Sequence, residues 1–232
     1  TADGSLLSLG ALVDLSTGRR REWLEPFTLG AYGRRNVAST GVALIAGGPT
    51  GLQLASLDET TPVPVPDRPI GAVIDDAGRS AVYETLETGS MRRLVRIDLT
   101  TGETRLLATS SAPMQPCLSN DGQVVLFLAG GQIHVIRADG TGLRRLTENL
   151  AGIWEIVLSG NGRVAYAVSG GGRLFRLDVE SGATEPIAGP GAIISGFSGI
   201  AVAGSALAVE GLGFADAPQS VAPPLPASLN SV

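Results

Sequence analysis

A short turn returns along this chain at a nearly constant interval, each time between two runs of strand-forming residues. The clearest copies are Asp76-Ala77-Gly78, Asn120-Asp121-Gly122 and Gly160-Asn161-Gly162, with looser copies at Ser39-Thr40-Gly41 and Ala203-Gly204-Ser205. Gly41 to Gly78 is 37 residues, Gly78 to Gly122 is 44, Gly122 to Gly162 is 40 and Gly162 to Gly204 is 42. A repeat of about 40 residues built only of strands and turns marks a β-propeller, in which each repeat folds as one four-stranded blade. A second turn series runs half a blade out of step. Asp98-Leu99-Thr100-Thr101-Gly102, Ala138-Asp139-Gly140-Thr141-Gly142 and Asp178-Val179-Glu180-Ser181-Gly182 set their last glycines 40 residues apart. Asp14-Leu15-Ser16-Thr17-Gly18 is an earlier copy, and Asp58-Glu59-Thr60 a degraded one. Asp or Asn before Gly suits both series, because the short polar side chain bonds its own backbone and Gly accepts a positive φ.

The strands fall between these turns. In one repeat, Met114 to Ser119 reads as the innermost strand, Gln123 to Leu128 as an almost wholly apolar second strand, Gln132 to Ala138 as an alternating third and Leu143 to Thr147 as the outer edge. Arg144 and Arg145 put charge on that edge, which discourages sheet-to-sheet aggregation. The next repeat uses Trp154 to Ser159, Arg163 to Ser169, Arg173 to Asp178 and Thr184 to Ile187; the preceding one uses Ile70 to Ile74, Ser80 to Leu86, Arg92 to Asp98 and Glu103 to Ala108. No stretch sustains a helical period. The expected fold class is therefore all-β, a propeller of about six four-stranded blades, with an incomplete or excised ring as the alternative.

These residues resemble a family. Pro116-Cys117-Leu118-Ser119-Asn120-Asp121-Gly122, then Ile133 to Gly140, then Leu143-Arg144-Arg145-Leu146-Thr147, is similar to the TolB-like (PD40-type) propeller repeat. That family carries a Pro-x-aromatic-Ser-Pro-Asp-Gly turn before a strand and closes each blade with Arg-x-Leu-Thr; here the aromatic is missing and Asn120 stands for the second proline. The resemblance is strong over 112–149, fair over 67–111 and 150–190, and weak elsewhere. It implies a scaffold and brings no catalytic residue with it. The same repeats occur in the gating propellers of prolyl-oligopeptidase-type serine peptidases and in secreted bacterial proteins.

The expected domain runs over 1–210, with repeats near 1–31, 32–66, 67–111, 112–149 and 150–190 and a partial one over 191–210. Residues 211–232, rich in Pro and Ala, read as an extended linker or tail, and Pro62 to Pro69 as an irregular edge strand and inter-blade loop. The lack of an initiator Met favours processing or excision. Pro186 to Val209 carries no charge over a span long enough to cross a bilayer, but its Gly and Ser content and the break at Ala203-Gly204 fit two propeller strands. No membrane insertion is expected.

Gly makes up 32 of 232 residues, in keeping with so many tight turns. All 17 basic residues are Arg, which removes the P-loop lysine and any Schiff-base lysine. A net charge of −5, with no basic cluster interleaved with aromatics, argues against a nucleic-acid partner, and none is expected. Cys117, the lone cysteine, reads as a small buried side chain; His134, the lone histidine, lies a strand and a turn away, too far for a thiol–imidazole dyad. Asp75-Asp76, the only adjacent aspartate pair, reads as a turn rather than a calcium site, and Gly130-Gly131 and Gly170-Gly171-Gly172 as hairpin turns rather than phosphate loops.

No catalytic, cofactor or metal residue is assigned, and no ligand-binding residue is fixed. A binding surface would lie where inter-blade connections and second-to-third-strand turns meet, bringing Glu87, Ser90 and Arg92 near Glu148, Asn149, Glu155 and the Gly170–Gly172 loop. Trp154 in that set reads as inter-blade packing. Three functions compete: a non-catalytic, monomeric, extracellular or periplasmic propeller binding protein or carbohydrate; the substrate gate of a serine peptidase whose catalytic domain lies outside this chain; and a propeller lactonase or lyase. The first is preferred, because the third needs metal ligands or acid/base pairs at the channel end.

Overall fold

The computed structural model describes residues 5–8, 11–14, 17–22, 38, 40, 42–46, 51–187 apart from 57, 66, 67, 88, 89, 149, 151 and 171, then 193–203 and 206–215. Among them every regular element is a β-strand. The first blade holds β1 (Ser5–Ser8), β2 (Ala11–Asp14) and β3 (Arg20–Glu22), and the second holds β4 (Ala43–Ala46), β5 (Leu52–Ala55) and β6 (Thr60–Val63). Three four-stranded sheets follow. They are β7 (Pro69–Ile74), β8 (Ser80–Leu86), β9 (Arg92–Asp98) and β10 (Thr104–Ser110); β11 (Cys117–Leu118), β12 (Val124–Ala129), β13 (Gln132–Arg137) and β14 (Arg144–Arg145); and β15 (Ile153–Leu158), β16 (Val164–Ser169), β17 (Arg173–Asp178) and β18 (Thr184–Pro186). The sixth sheet is a hairpin of β19 (Ile193–Ala203) and β20 (Ala206–Ala215). All pairings are antiparallel between chain neighbours, so the fold is the all-β propeller that the repeat implies.

Two expectations shift. The innermost strand of the fourth blade shrinks from Met114–Ser119 to two residues, because Pro116 has no N–H to give and Gln115 sits at φ 47, outside strand geometry. β20 also runs to Ala215, five residues into the segment read as linker. Residues 216–232 lie outside the described ones, as do Ser39, Gly41, Gly204 and Ser205 of the two looser turns.

Alternate residues of each strand face alternate neighbours, and the core is divided accordingly. One cluster, with Leu44, Leu52, Ile74 and Tyr83, lies between the second and third blades. Another, with Val82, Leu94, Met114 and Phe127, lies between the third and fourth. A third, with Leu126, Ile133, Ile156 and Leu177, lies between the fourth and fifth. Tyr166, Val168 and Leu174 form the other face of the fifth blade, whose strands β15 and β17 pack on β19.

The first turn series joins the blades as well as their strands. The N–H of Asp76 donates to the carbonyl of Asn120 at 2.9 Å, and that of Asn120 to the carbonyl of Gly160 at 2.7 Å. Each turn thus hands a hydrogen bond to the next blade. The family's usual proline at this position would have no proton to give. Asn120→Pro is therefore expected to destabilise the protein by about 1 kcal/mol, read as a lower urea midpoint with an unchanged slope.

The second series is held by side chains. Asp98 Oδ1 accepts from the N–H of Thr100 and Thr101, Asp139 Oδ1 from the N–H and hydroxyl of Thr141, and Asp178 Oδ1 from the N–H and hydroxyl of Ser181. These bonds hold all three carboxyls below the ordinary aspartate value of 3.8, led by the Thr101 N–H at Asp98, the Thr141 hydroxyl at Asp139 and the Ser181 N–H at Asp178. A depressed folded-state pKa adds stability above the unfolded value and loses it as the pH falls through the folded one. Replacing all three by Asn keeps an acceptor and removes the charge. The variant is expected to show a flatter stability profile below pH 3.8 than the parent, followed by denaturation across acid buffers.

Edge arginines also reach across. Arg105 Nη1 donates to the Asp139 carbonyl at 2.5 Å, and Arg144 Nη2 to the carbonyls of Val179 and Glu180. Arg144, expected to guard a sheet edge, thus also ties the fourth blade to the fifth, as Arg105 ties the third to the fourth.

Candidate binding face at the loop end

Antiparallel strands put the two turn series at one end of the propeller; the second-to-third-strand turns and inter-blade connections share the other. In the third blade this loop end is built on Glu84. Ser80–Leu86 alternates faces, which sends Glu84 with Val82 toward the fourth blade, and Glu84 is fully buried. Its Oε1 accepts from Arg92 Nη1 at 2.8 Å and from the N–H of Met114 at 3.1 Å, while Oε2 is enclosed with no hydrogen-bond partner among the described residues. Ser90 (φ 73) and Gln115 (φ 47) are the two described non-glycine residues with left-handed backbone, and they flank Arg92 and Met114. Such conformations cost about 1–2 kcal/mol each, and persist where surrounding bonds over-determine them. Here those bonds are the Glu84 pair, the Glu87 N–H donating to the Met91 carbonyl at 2.7 Å and the Leu128 N–H donating to the Met114 carbonyl at 2.6 Å. On this footing the third-blade hairpin leaves Leu86 52% and Met91 38% exposed.

The fifth blade contributes Trp154. The ladder pairs Ile153 with Ser169 and Glu155 with Val168, so Trp154 is the extra residue of a bulge. It is 41% exposed, and its Nε1–H donates to the Ser169 carbonyl at 3.2 Å. The indole expected to pack between blades is thus partly exposed, in keeping with a bulge, which re-aims the side chain it carries. Alongside, the N–H of Gly170 donates to the Gly152 carbonyl at 2.8 Å.

Of the residues expected to converge here, Glu87, Ser90, Arg92, Glu155, Gly170 and Gly172 all sit at strand ends facing this side. Arg92 is turned inward onto Glu84, and Glu148 points to Arg145 on the outer edge at 3.4 Å. Asn149 and Gly171 lie outside the described residues. Cys117 and His134 face opposite neighbours. The thiol approaches the Ile156 carbonyl in the fifth blade at 3.3 Å, whereas His134 stacks on Phe127, a residue of the core toward the third. Burial, helped by Arg145, holds the His134 imidazole below its ordinary value of 6.5. Asp75 is a turn residue: Oδ1 accepts from the Arg79 N–H at 2.8 Å and Oδ2 from the Ser80 hydroxyl at 3.1 Å. Among the described residues no three His, Cys, Asp or Glu side chains converge to hold a metal, and no helix is long and apolar enough to cross a membrane. Glu84 escaped the sequence reading, although an acid in an otherwise apolar second strand was its visible sign.

No family model and no curated protein matches the chain. Solved structures do. An oligogalacturonate lyase in complex with manganese aligns with a TM-score of 0.60 at 16% identity over 80% of this chain and 61% of its own. TolB from Acinetobacter baumannii aligns at 0.52 and 17% identity over 81% of this chain and 55% of its own. A putative TolB from Agrobacterium tumefaciens aligns at 0.56 and 19% identity over 77% and 69%. This chain therefore spans about three-fifths of the lyase's length. At these identities the likeness is one of fold: the chain has the β-propeller fold that the lyase and the two TolB structures share.

Proposed function

We propose that this propeller is a non-catalytic scaffold of a secreted or periplasmic protein that binds a protein or carbohydrate ligand at its loop end. The observation that carries the reading is the placement of exposed apolar side chains. Of the five large hydrophobics exposed among the described residues, Leu86, Met91 and Trp154 lie at the loop end, and only Leu106 and Leu143 lie on outer edges. Exposed aromatic and Met side chains on a rigid footing supply contact area at low entropic cost. The propeller of a nidogen/laminin complex and a TolB are among the fold neighbours, which supports a recognition role at the level of fold alone.

Two paired variants test the reading. Leu86→Asp with Met91→Asp removes apolar surface at the loop end; Leu106→Asp with Leu143→Asp does so on the edges. Binding to glycans and to extracytoplasmic protein fractions is expected to fall only in the first pair. Equal loss in both pairs, or in neither, sinks the proposal. A second reading, the substrate gate of a peptidase, has one specific support: the tricorn protease aligns at a TM-score of 0.55 over 81% of this chain and 21% of its own. A hydrolase domain encoded in the same gene would favour it.

A further inference from the structure

We propose that Arg96 and Arg105 form an oxyanion site on the outer rim, where the third and fourth blades meet. It lies at the end opposite the loop end and does not depend on the loop-end reading. The two residues pair directly across β9 and β10. Both face the fourth blade. Leu94, two residues before Arg96, packs in the core between these blades, and Arg105 Nη1 reaches the Asp139 carbonyl. Opposed residues of paired strands hold their Cβ atoms about 4.5–5.5 Å apart, and like charges placed so destabilise a sheet.

The repeat itself provides the comparison. Arg176 and Glu185 each stand 80 residues further along, two blades on, and they pair across β17 and β18 in the same way. Their side chains form an ion pair at 3.7 Å. In the fourth blade the place of the first arginine is taken by Ile136, which is buried and needs no counter-charge. The third blade keeps the first arginine and puts a second where the fifth blade has its acid.

No described acid takes over that role: neither Arg96 nor Arg105 forms an ion pair among the described residues. Arg96 is half-buried, and its Nε is enclosed with no hydrogen-bond partner among those residues. Arg105 gives Nη1 to a neutral carbonyl, which satisfies a donor and leaves the charge unmatched. Asp98 and Asp139 feel these arginines, yet each directs Oδ1 into its own turn, toward Thr100 and Thr101 or toward Thr141. A cation taken partly out of water without a counter-charge is costly. Two guanidinium forks side by side match the oxygens of one carboxylate, sulfate or phosphate group. The two aspartates keep the surroundings from being strongly basic, so the site selects a single oxyanion by geometry rather than a polyanion by bulk charge.

The test follows the arginine Nε–Hε resonances of the full chain by NMR while phosphate, sulfate or acetate replaces chloride at constant ionic strength. The Arg96 and Arg105 signals are expected to shift and saturate with at least one of these anions, and the one that saturates first names the preferred group. Arg176, already matched by Glu185, is expected to stay still. Arg96→Gln is expected to weaken the Arg105 response about tenfold. Arg105→Glu rebuilds the arrangement of the fifth blade and is expected to abolish the Arg96 response. An Arg176 signal unmoved in both variants separates a lost site from a damaged fold. The proposal is overturned if no anion moves the Arg96 and Arg105 signals, or if Arg176 moves with them. It is equally overturned if the response survives Arg96→Gln or Arg105→Glu unchanged.

Discussion

Replacing Glu84 with alanine is expected to destabilise the protein by about 3–5 kcal/mol, enough to lower the urea midpoint severely. The carboxylate is fully buried and carries two obligations, the Arg92 guanidinium and the Met114 N–H. Its removal strands a partly buried cation, leaves a main-chain donor unsatisfied and opens a void between the third and fourth blades. Gln at the same position keeps an oxygen for Met114 and loses only the ionic part of the Arg92 bond. Glu84→Gln is therefore expected to cost about 1–2 kcal/mol. Equal losses in the two variants would show that the main-chain bond is idle and that charge alone matters. The alanine variant also frees the connection that enters the fourth blade, so amide exchange at Met114 and Gln115 should quicken before that of β12.

Gly122→Ala is expected to cost about 3 kcal/mol, from a left-handed backbone at about 1–2 kcal/mol and overpacking at about 1–3 kcal/mol. Its φ is 70, and a Cβ there would stand 2.7 Å from Ser80 Oγ and 3.1 Å from Asp75 Oδ2 in the preceding blade. Ser80 and Asp75 are buried and bonded to each other, so neither can swing aside. Gly102 provides the control, with φ 76 and nothing within 4 Å of an added Cβ. Gly102→Ala should show the backbone cost alone, about 1–2 kcal/mol. The difference between the two denaturation midpoints isolates the contact between blades; identical losses would mean that no such contact exists.

That comparison shows where sequence reading reached its limit. Positive φ at Gly78, Gly122 and Gly162 follows from the turn motif alone, and all three have it. Their second role does not follow. Gly78 packs on Thr40 and Ala38, Gly122 on Ser80 and Asp75, and Gly162 on Ser119 and Val124, each in the preceding blade. Periodicity reports a strand's own faces; it carries no information about which atoms a neighbouring repeat brings up. The strands of the third to fifth blades were legible nearly to the residue, because their alternation is set locally. There are two exceptions: β14 keeps only Arg144–Arg145 of the expected Leu143 to Thr147, and β11 is short because Pro116 and Gln115 act on backbone geometry rather than on hydrophobic pattern. At the candidate site the loop-end residues were legible as a group, since topology alone collects them. Their individual duties were not. Arg92 is bonded to Glu84 and Trp154 sits at a bulge, and a ladder irregularity leaves no trace in residue type.

The division of the core between blades also governs how the molecule comes apart. Each apolar cluster belongs to two neighbours, so a blade taken alone has half a core on either side and no stability of its own. Such an assembly behaves as a one-dimensional array coupled through nearest-neighbour interfaces. The third and fourth blades, each clasped on both faces by described clusters, should be the last to open, and a lesion at one junction should be felt mainly by the two sheets that meet there.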